Sequence, residues 1–389
     1  MDLQPGNARV VHHARMMVDY TNSSEVADQE DEVPGFDGMD VRTNASNPPG
    51  HFVGWTPGKR LLPPQEEMPW RVDADTDLVA QLHLRLTGAE ERIQGRVGFY
   101  FADGPPTEHP AVLIISSMEI DIPPGESDYR VSNSFTLPVR VEVLSVYPHA
   151  HYLGKEMRVT ATRPDGREIE LLHIPDWDFD WQDEYRLVDP VRLPAGTVLL
   201  KEFSYDNSAA NPDNPNNPPR RVVFGSNSSD EMGDLVLQVL PRSPEDRERL
   251  LQAQAWQHDA EDMAYMARRT LSAAETALSE GRLEEAVAGF QETLQYRSDN
   301  VRALSGLATA FAEQGDGASA GFIAERAVTV SGGRDARALA ALAHARHAQG
   351  DDAEARTTAQ EALRMAREAG DEELAALLEE RIARYGGGV

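Results

Sequence analysis

Cysteine is missing altogether from the 389 residues. Its absence excludes disulfides, thiolate zinc sites and cysteine nucleophiles, so a bound metal would rest on His, Met or carboxylate ligands. Positive charge is scarce as well. The chain has 37 basic against 65 acidic residues, a formal charge of −28. That balance argues against nucleic acid, whose phosphates would be repelled, and against an anionic membrane surface. No run approaches the roughly 18 apolar residues of a membrane span, and the first 20 residues lack the apolar core of a signal peptide. Part of the acid is local. Residues 24–40, "SEVADQEDEVPGFDGMD", hold seven acids and no base, which predicts a solvated, mobile loop.

The character of the chain changes near residue 242. Before it, short alternations such as "DLVAQLHLRLTG", "GRVGFYFADGPP", "RVEVLSVYPHAH" and "GTVLLKEFSYDN" are broken by Pro, Gly and Asn. They read as strands and turns of β-sandwiches. "RPDGRE" at 163–168 is a hairpin signal, and "DNSAANPDNPNNPP" at 206–219 is too rich in Asn and Pro for regular structure. "MEIDIPPGESDY" resembles a second start, so the β region divides there. After residue 242 the chain is rich in Ala, Glu and Arg at helical spacing. "EGRLEEA", "EQGDGASA" and "AQGDDAEA" place Gly281, Gly315 and Gly350 at intervals of 34 and 35 residues. Each is followed five residues later by Ala286, Ala320 or Ala355. Glycine makes the turn between two helices and the small alanine lets them approach. The period resembles tetratricopeptide repeats. A plain helical bundle fits less well, because the period holds over both intervals. The expected fold is multidomain: two antiparallel, jelly-roll-like β-sandwiches at 1–117 and 118–241, a linker helix at 242–262, and an all-α repeat domain at 263–389.

Histidine carries the chemistry. In "SVYPHAHYLGKEM", His149 and His151 alternate in a strand, so both imidazoles face one side. Such a pair is a chelate suited to copper, zinc, iron or nickel, or else two surface histidines on a half-exposed strand. In "VVHHARMM", the tandem His12 and His13 can serve one metal only where the strand ends or bulges. In "DLVAQLHLRL", Ala80, Leu82, Leu84 and Leu86 alternate onto an apolar face, and His83 lies opposite with Gln81 and Arg85. Met232, in "GSNSSDEMGDLVLQVL", follows a polar turn at a strand edge. It is either core packing or a thioether donor, which is soft and selects Cu(I).

In chain order, "VVHH", "QLH", "PHAHYLGK" and "SSDEM" resemble the copper type II, ascorbate-dependent monooxygenases of the peptidylglycine- and dopamine-hydroxylating kind. "HFVGWTPGKRLLPP", "FDWQDEY" and "YDNSAANPDNPNNPP" are similar to bacterial members. The resemblance covers roughly residues 5–240. It implies that His12, His13 and His83 hold a copper that stores an electron, with Gln81 nearby. His149, His151 and Met232 would hold the copper that meets dioxygen and hydroxylates substrate. Two coppers per chain, one per sandwich across a cleft, would then use dioxygen and ascorbate or another one-electron reductant to hydroxylate a C–H bond. A periplasmic or extracellular setting follows from the same resemblance.

Departures are visible. "ARMM" follows the tandem pair where the family has an apolar run, and the N-terminal sandwich is expected to be incomplete at its start. The peptidylglycine enzyme clamps its substrate carboxylate with Arg, Asn and Tyr at positions that here are Tyr147, Asp234 and Val236. The resemblance therefore implies a neutral or cationic small-molecule substrate near Tyr147 and Asp234. The repeats imply a protein partner. Two other readings compete: a non-catalytic copper-binding scaffold acting through the repeats, and a zinc hydrolase, in which Met232 would have no role.

Overall fold

Alternating Val, Leu and Ile build the first part of the molecule, and alanine builds the second. The computed structural model describes residues 1–385 apart from 31, 34, 37–42, 58, 60–66, 86 and 226. Parts of the acidic stretch and of "HFVGWTPGKRLLPP", as well as Leu86, lie outside the described residues. The chain divides into two units, Met1–Gln257 and His258–Val389.

The first unit opens with β1 (Asp2–Gln4), β2 (Val11–Asp19), a short helix α1 (Ser23–Asp28), β3 (Val53–Trp55), β4 (Asp77–Leu84) and β5 (Arg96–Gly98). These form a three-stranded sheet in the order β3-β2-β4 and a two-stranded pair, β1-β5. Their buried core consists of Leu3, Val10, Val11, Ala14 and Met16. The apolar face expected on β4 is only partly covered: Leu78 and Leu82 pack on this core, while Ala80 and Leu84 are exposed. Helix α1 corrects the expectation of a featureless acidic loop. The buried carboxylate of Asp19 accepts the Ser24 N–H at 2.7 Å and the hydroxyls of Thr21 and Ser23, which ties the helix start down.

The unit continues with β6 (Ala111–Ile115), β7 (Asp121–Ile122), β8 (Tyr129–Thr136), β9 (Val141–Ala150), β10 (Gly154–Thr162), β11 (Glu168–Ile174), β12 (Tyr185–Leu193), β13 (Val198–Tyr205), β14 (Val222–Val223) and β15 (Gly233–Pro241). Two four-stranded antiparallel sheets result, β11-β10-β13-β8 and β12-β9-β15-β6. Every second residue points inward. Leu113, Val143 and Leu237 from one sheet meet Met157, Leu199 and Phe203 from the other in one core. β6 precedes the break expected near residue 118, yet it pairs with β15. Its inward residues Ala111, Leu113 and Ile115 are almost fully shielded by that core. The "RPDGRE" hairpin joins β10 and β11, with Gly166 at φ +82°. The Asn-rich loop is irregular but tied: the buried Asn207 amide donates to three backbone carbonyls, those of Ile122, Pro123 and Arg220.

The helices are α2 (Pro244–Ser279), α3 (Leu283–Tyr296), α4 (Val301–Glu313), α5 (Gly317–Ser331), α6 (Ala336–Ala348), α7 (Asp352–Ala369) and α8 (Glu372–Arg384). The start of α2 differs from the expected linker at 242–262. Leu250 is fully buried in the β core and Arg247 donates to the Pro110 carbonyl at 2.9 Å, so these turns belong to the first unit. In the second unit, Gly281, Gly315 and Gly350 adopt φ of +73°, +82° and +87° at the turns before α3, α5 and α7. Ala286, Ala320 and Ala355 are completely buried where the helices meet. Asn300, Asp316 and Asp335 cap α4, α5 and α6 with their side chains. This is a helical domain of the tetratricopeptide type. Among the described residues, no helix is long and apolar enough to cross a membrane.

Candidate metal centre

The first histidine set lies on the three-stranded sheet. The β2–β4 ladder shifts register between Val11 and His13, and His13 then pairs with His83. His12 is the extra residue of a bulge, which lets two consecutive side chains turn the same way. The donor atoms of His12, His13 and His83 lie within 4.8 Å of one another. The Nδ1 atoms of His12 and His13 face each other at 3.0 Å. His12 Nε2 lies 3.2 Å from Asp180 Oδ1, a carboxylate that only accepts. The proton of neutral His12 therefore sits on Nε2, and Nδ1 offers its lone pair to the cluster. His83 Nε2 meets the Ser228 hydroxyl at 2.7 Å. Its Nδ1 is the remaining donor.

The second set lies at the end of β9, a strand flanked by β12 and β15. The rings of His149 and His151 are 5.2 Å apart, as alternation requires. His151 Nδ1 lies 3.1 Å from the Asp230 carbonyl, so it donates there and leaves Nε2 free. Met232 is half-buried just before β15, whose first residue, Gly233, pairs with Ala150. Glu231 ties the two segments together. Its fully buried carboxylate accepts the backbone N–H of His151, of Leu153 at 3.0 Å and of Met232 at 2.9 Å. Burial pushes this carboxyl up to about 8, against those three donors. The Tyr205 hydroxyl donates to the Met232 carbonyl at 2.9 Å and Lys201 to that of Gly233, which fixes the turn from below.

The sets adjoin instead of standing across a cleft. Ring centroids of His13 and His149 are 5.5 Å apart, and those of His83 and His151 6.3 Å. The loop after β11 lies against both. Phe179 stacks on His12 at 4.0 Å and lies 6.0 Å from His151. Asp180 accepts from His12 and Arg85, and Gln182 meets His149. Burial, reinforced by neighbouring imidazoles, lowers His12 to about 4 and His151 to about 3, and pushes His13 and His83 below the usual histidine range. These imidazoles are neutral at pH 7, the form that binds a metal. Lone pairs converging from these rings, with one nitrogen of His12, His83, His149 and His151 engaged elsewhere, fit a soft or borderline metal ion.

Tyr147 and Asp234 lie on the face of β9 and β15 that carries His149. Tyr147 packs on Phe52 at 4.8 Å. Arg15, two residues beyond His13, lies over the same Phe52 ring at 5.5 Å, and burial lowers its pKa against the opposing charge of Asp234. Gln81 pairs across the ladder with Arg15. Sequence reasoning missed Asp180, Gln182 and Glu231 as supports of the ligands. All three lie in strings that marked the resemblance, "FDWQDEY" and "SSDEM", but nothing local shows that their side chains turn inward.

No protein-family model matches the chain, and no curated protein matches it. Among solved structures it is similar to a TPR-like protein of Chlorobium tepidum, at 22% identity over 33% of this chain and 99% of that chain, with a TM-score of 0.29. It is also similar to the TPR2B domain of yeast Sti1 in its pHsp70 complex, at 18% identity over 31% of this chain and 96% of that one, TM-score 0.28. The TPR domain of Arabidopsis OM64 gives 17% identity over 33% of this chain and 98% of that one, TM-score 0.27.

Proposed function

We propose that the first unit is a copper-dependent monooxygenase module, built from two β-sandwich-like halves, that hydroxylates a C–H bond of a small organic molecule. The observation that carries this reading is the cluster of five imidazoles, whose hydrogen bonds fix the free nitrogen on His12 and His151. His12, His13 and His83 would hold one copper, and His149, His151 and Met232 the other. Copper supplies one-electron chemistry, by which dioxygen is activated with electrons from ascorbate or a similar reductant. The chain holds His12, His13, His83 and His151 neutral by burial, engages the second nitrogen of His12 and His151, and presents Met232 on a turn fixed by Glu231 and Tyr205. Asp234 puts a carboxylate on the face that carries His149, which favours a neutral or cationic substrate over an anion.

Metal analysis and oxygen uptake on the full chain test the reading. Two coppers per chain and ascorbate-dependent oxygen consumption with a hydroxylated product are expected. Met232→Ile roughly conserves volume and should abolish hydroxylation while the fold persists. His83→Ala should remove one copper and leave the other. Zinc with no copper would replace this reading with a hydrolase, and copper without turnover would replace it with a scaffold.

The helical unit carries a groove of about 540 Å³ lined by Phe290, Arg302, Ser305, Arg337, Leu377 and Arg381 among others. This groove is the proposed seat of an extended segment of a protein partner.

A further inference from the structure

Gln182 stands at the junction of the two histidine sets and is only 1% exposed. Its Nε2 donates to the Phe179 carbonyl at 2.9 Å. A carbonyl only accepts, so the orientation of this amide is fixed. Its Oε1 is thereby turned toward His149 Nδ1, 2.5 Å away. An amide oxygen only accepts, so neutral His149 carries its proton on Nδ1 and presents the lone pair of Nε2. Phe179, whose carbonyl the same amide holds, stacks its ring on His12 at 4.0 Å. One buried side chain therefore engages a candidate ligand of one set directly and a candidate ligand of the other through a single residue.

We infer that Gln182 is a positioning residue that selects the tautomer of His149 and, through Phe179, ties the His149–His151 pair to His12. Its consequence for copper rests on the function proposed above; the tautomer does not. Buried partners of a ligand's far nitrogen set its orientation and basicity, and losing one typically weakens metal binding about 10–100-fold. Gln182→Leu removes both hydrogen bonds at similar volume. Gln182→Glu keeps an acceptor for Nδ1–H, and a charged one binds it more strongly.

The test uses the metal-free full chain with ¹⁵N-labelled histidine, observed by NMR at about pH 8, above the usual histidine range. Wild type and Gln182→Glu are expected to show His149 protonated on Nδ1. Gln182→Leu should move it toward the Nε2–H form that free imidazole side chains prefer. Copper titration should then show one site weakened about 10–100-fold in Gln182→Leu and restored in Gln182→Glu. An Nε2–H tautomer in wild type, or an unchanged tautomer in Gln182→Leu, overturns the inference. Should Gln182→Leu fail to fold, the wild-type and Gln182→Glu tautomers decide it. If the tautomers behave as expected and no variant binds copper, the positioning role stands and the copper reading falls.

Discussion

Residues 1–98 and residues 111–250 each present histidines to the same cluster, but they mount them differently. His12, His13 and His83 ride on a three-stranded sheet over Leu3, Val10, Val11, Ala14 and Met16, with Ala80 and Leu84 left exposed. His149 and His151 end an interior strand of a four-stranded sheet, above a core shared with a second sheet. Beneath Met232 lies a buried network of Glu231, Tyr205 and Lys201. Ligand chemistry can thus be matched while rigidity is not. The first set depends on a bulge and a small core, and the second on polar side chains that cannot be removed without orphaning the backbone.

The largest effect should come from attacking that network. Glu231→Ala leaves three N–H groups with no carboxylate and should cost about 3 kcal/mol or more. The loss should appear as a lower melting temperature together with loss of the copper held by His149 and His151. A melting curve like that of wild type would show that the second mount is not built on Glu231.

Met16→Ala attacks the smaller core. Met16 is 1% exposed, and truncation should cost about 2–5 kcal/mol. Copper per chain should fall from two toward one, with the His12–His13–His83 copper lost first. Loss of both together would mean that the two mounts unfold as one.

Acid should sharpen the comparison more gently. Burial lowers His51 to about 4, and the Gln238 amide of β15 meets its Nδ1 at 3.2 Å, at the seam of the two regions. A base with a lowered folded pKa binds fewer protons folded than unfolded between about 4 and about 6.5. Stability contributed by neutral His51 is therefore complete above about 6.5 and is lost as pH falls toward about 4. The expected loss is on the order of 2–3 kcal/mol over that window. His51→Gln should flatten the pH dependence of melting in the metal-free chain.

The smallest effect is expected in the helical unit, which serves as the reference for both mounts. Gly315 has φ +82° and open space where a Cβ would sit. Gly315→Ala therefore meets backbone strain alone, about 1 kcal/mol, and should leave copper content unchanged. A change in copper would show that the helices support the metal centre.

Legibility followed locality. The turn glycines and buried alanines of the helical unit could be read from their spacing because each acts within its own repeat. The alternation of His149 and His151 was visible for the same reason, and the condition placed on His12 and His13, a bulge, is met by the register shift after Val11. What escaped notice is non-local. β6 pairs with β15, more than 100 residues later, so no break in composition marks where it belongs. Asp180 meets His12, and Gln182 meets His149, only after the loop beyond β11 has packed against the sheets. Nothing local marks Glu231 for the interior, since a carboxylate in a polar turn is rarely buried unless something unusual holds it.

The bulge at His12 also determines which genetic changes this strand can survive. Substitutions in β2 alter one side chain at a time. Deleting the one residue between Val11 and His13 would restore an unbroken ladder with Val11 still inward and His13 still opposite it, so the strand would keep its buried face and lose only a candidate ligand. A lineage, or an engineer, can therefore discard this centre by a single deletion that the fold barely registers.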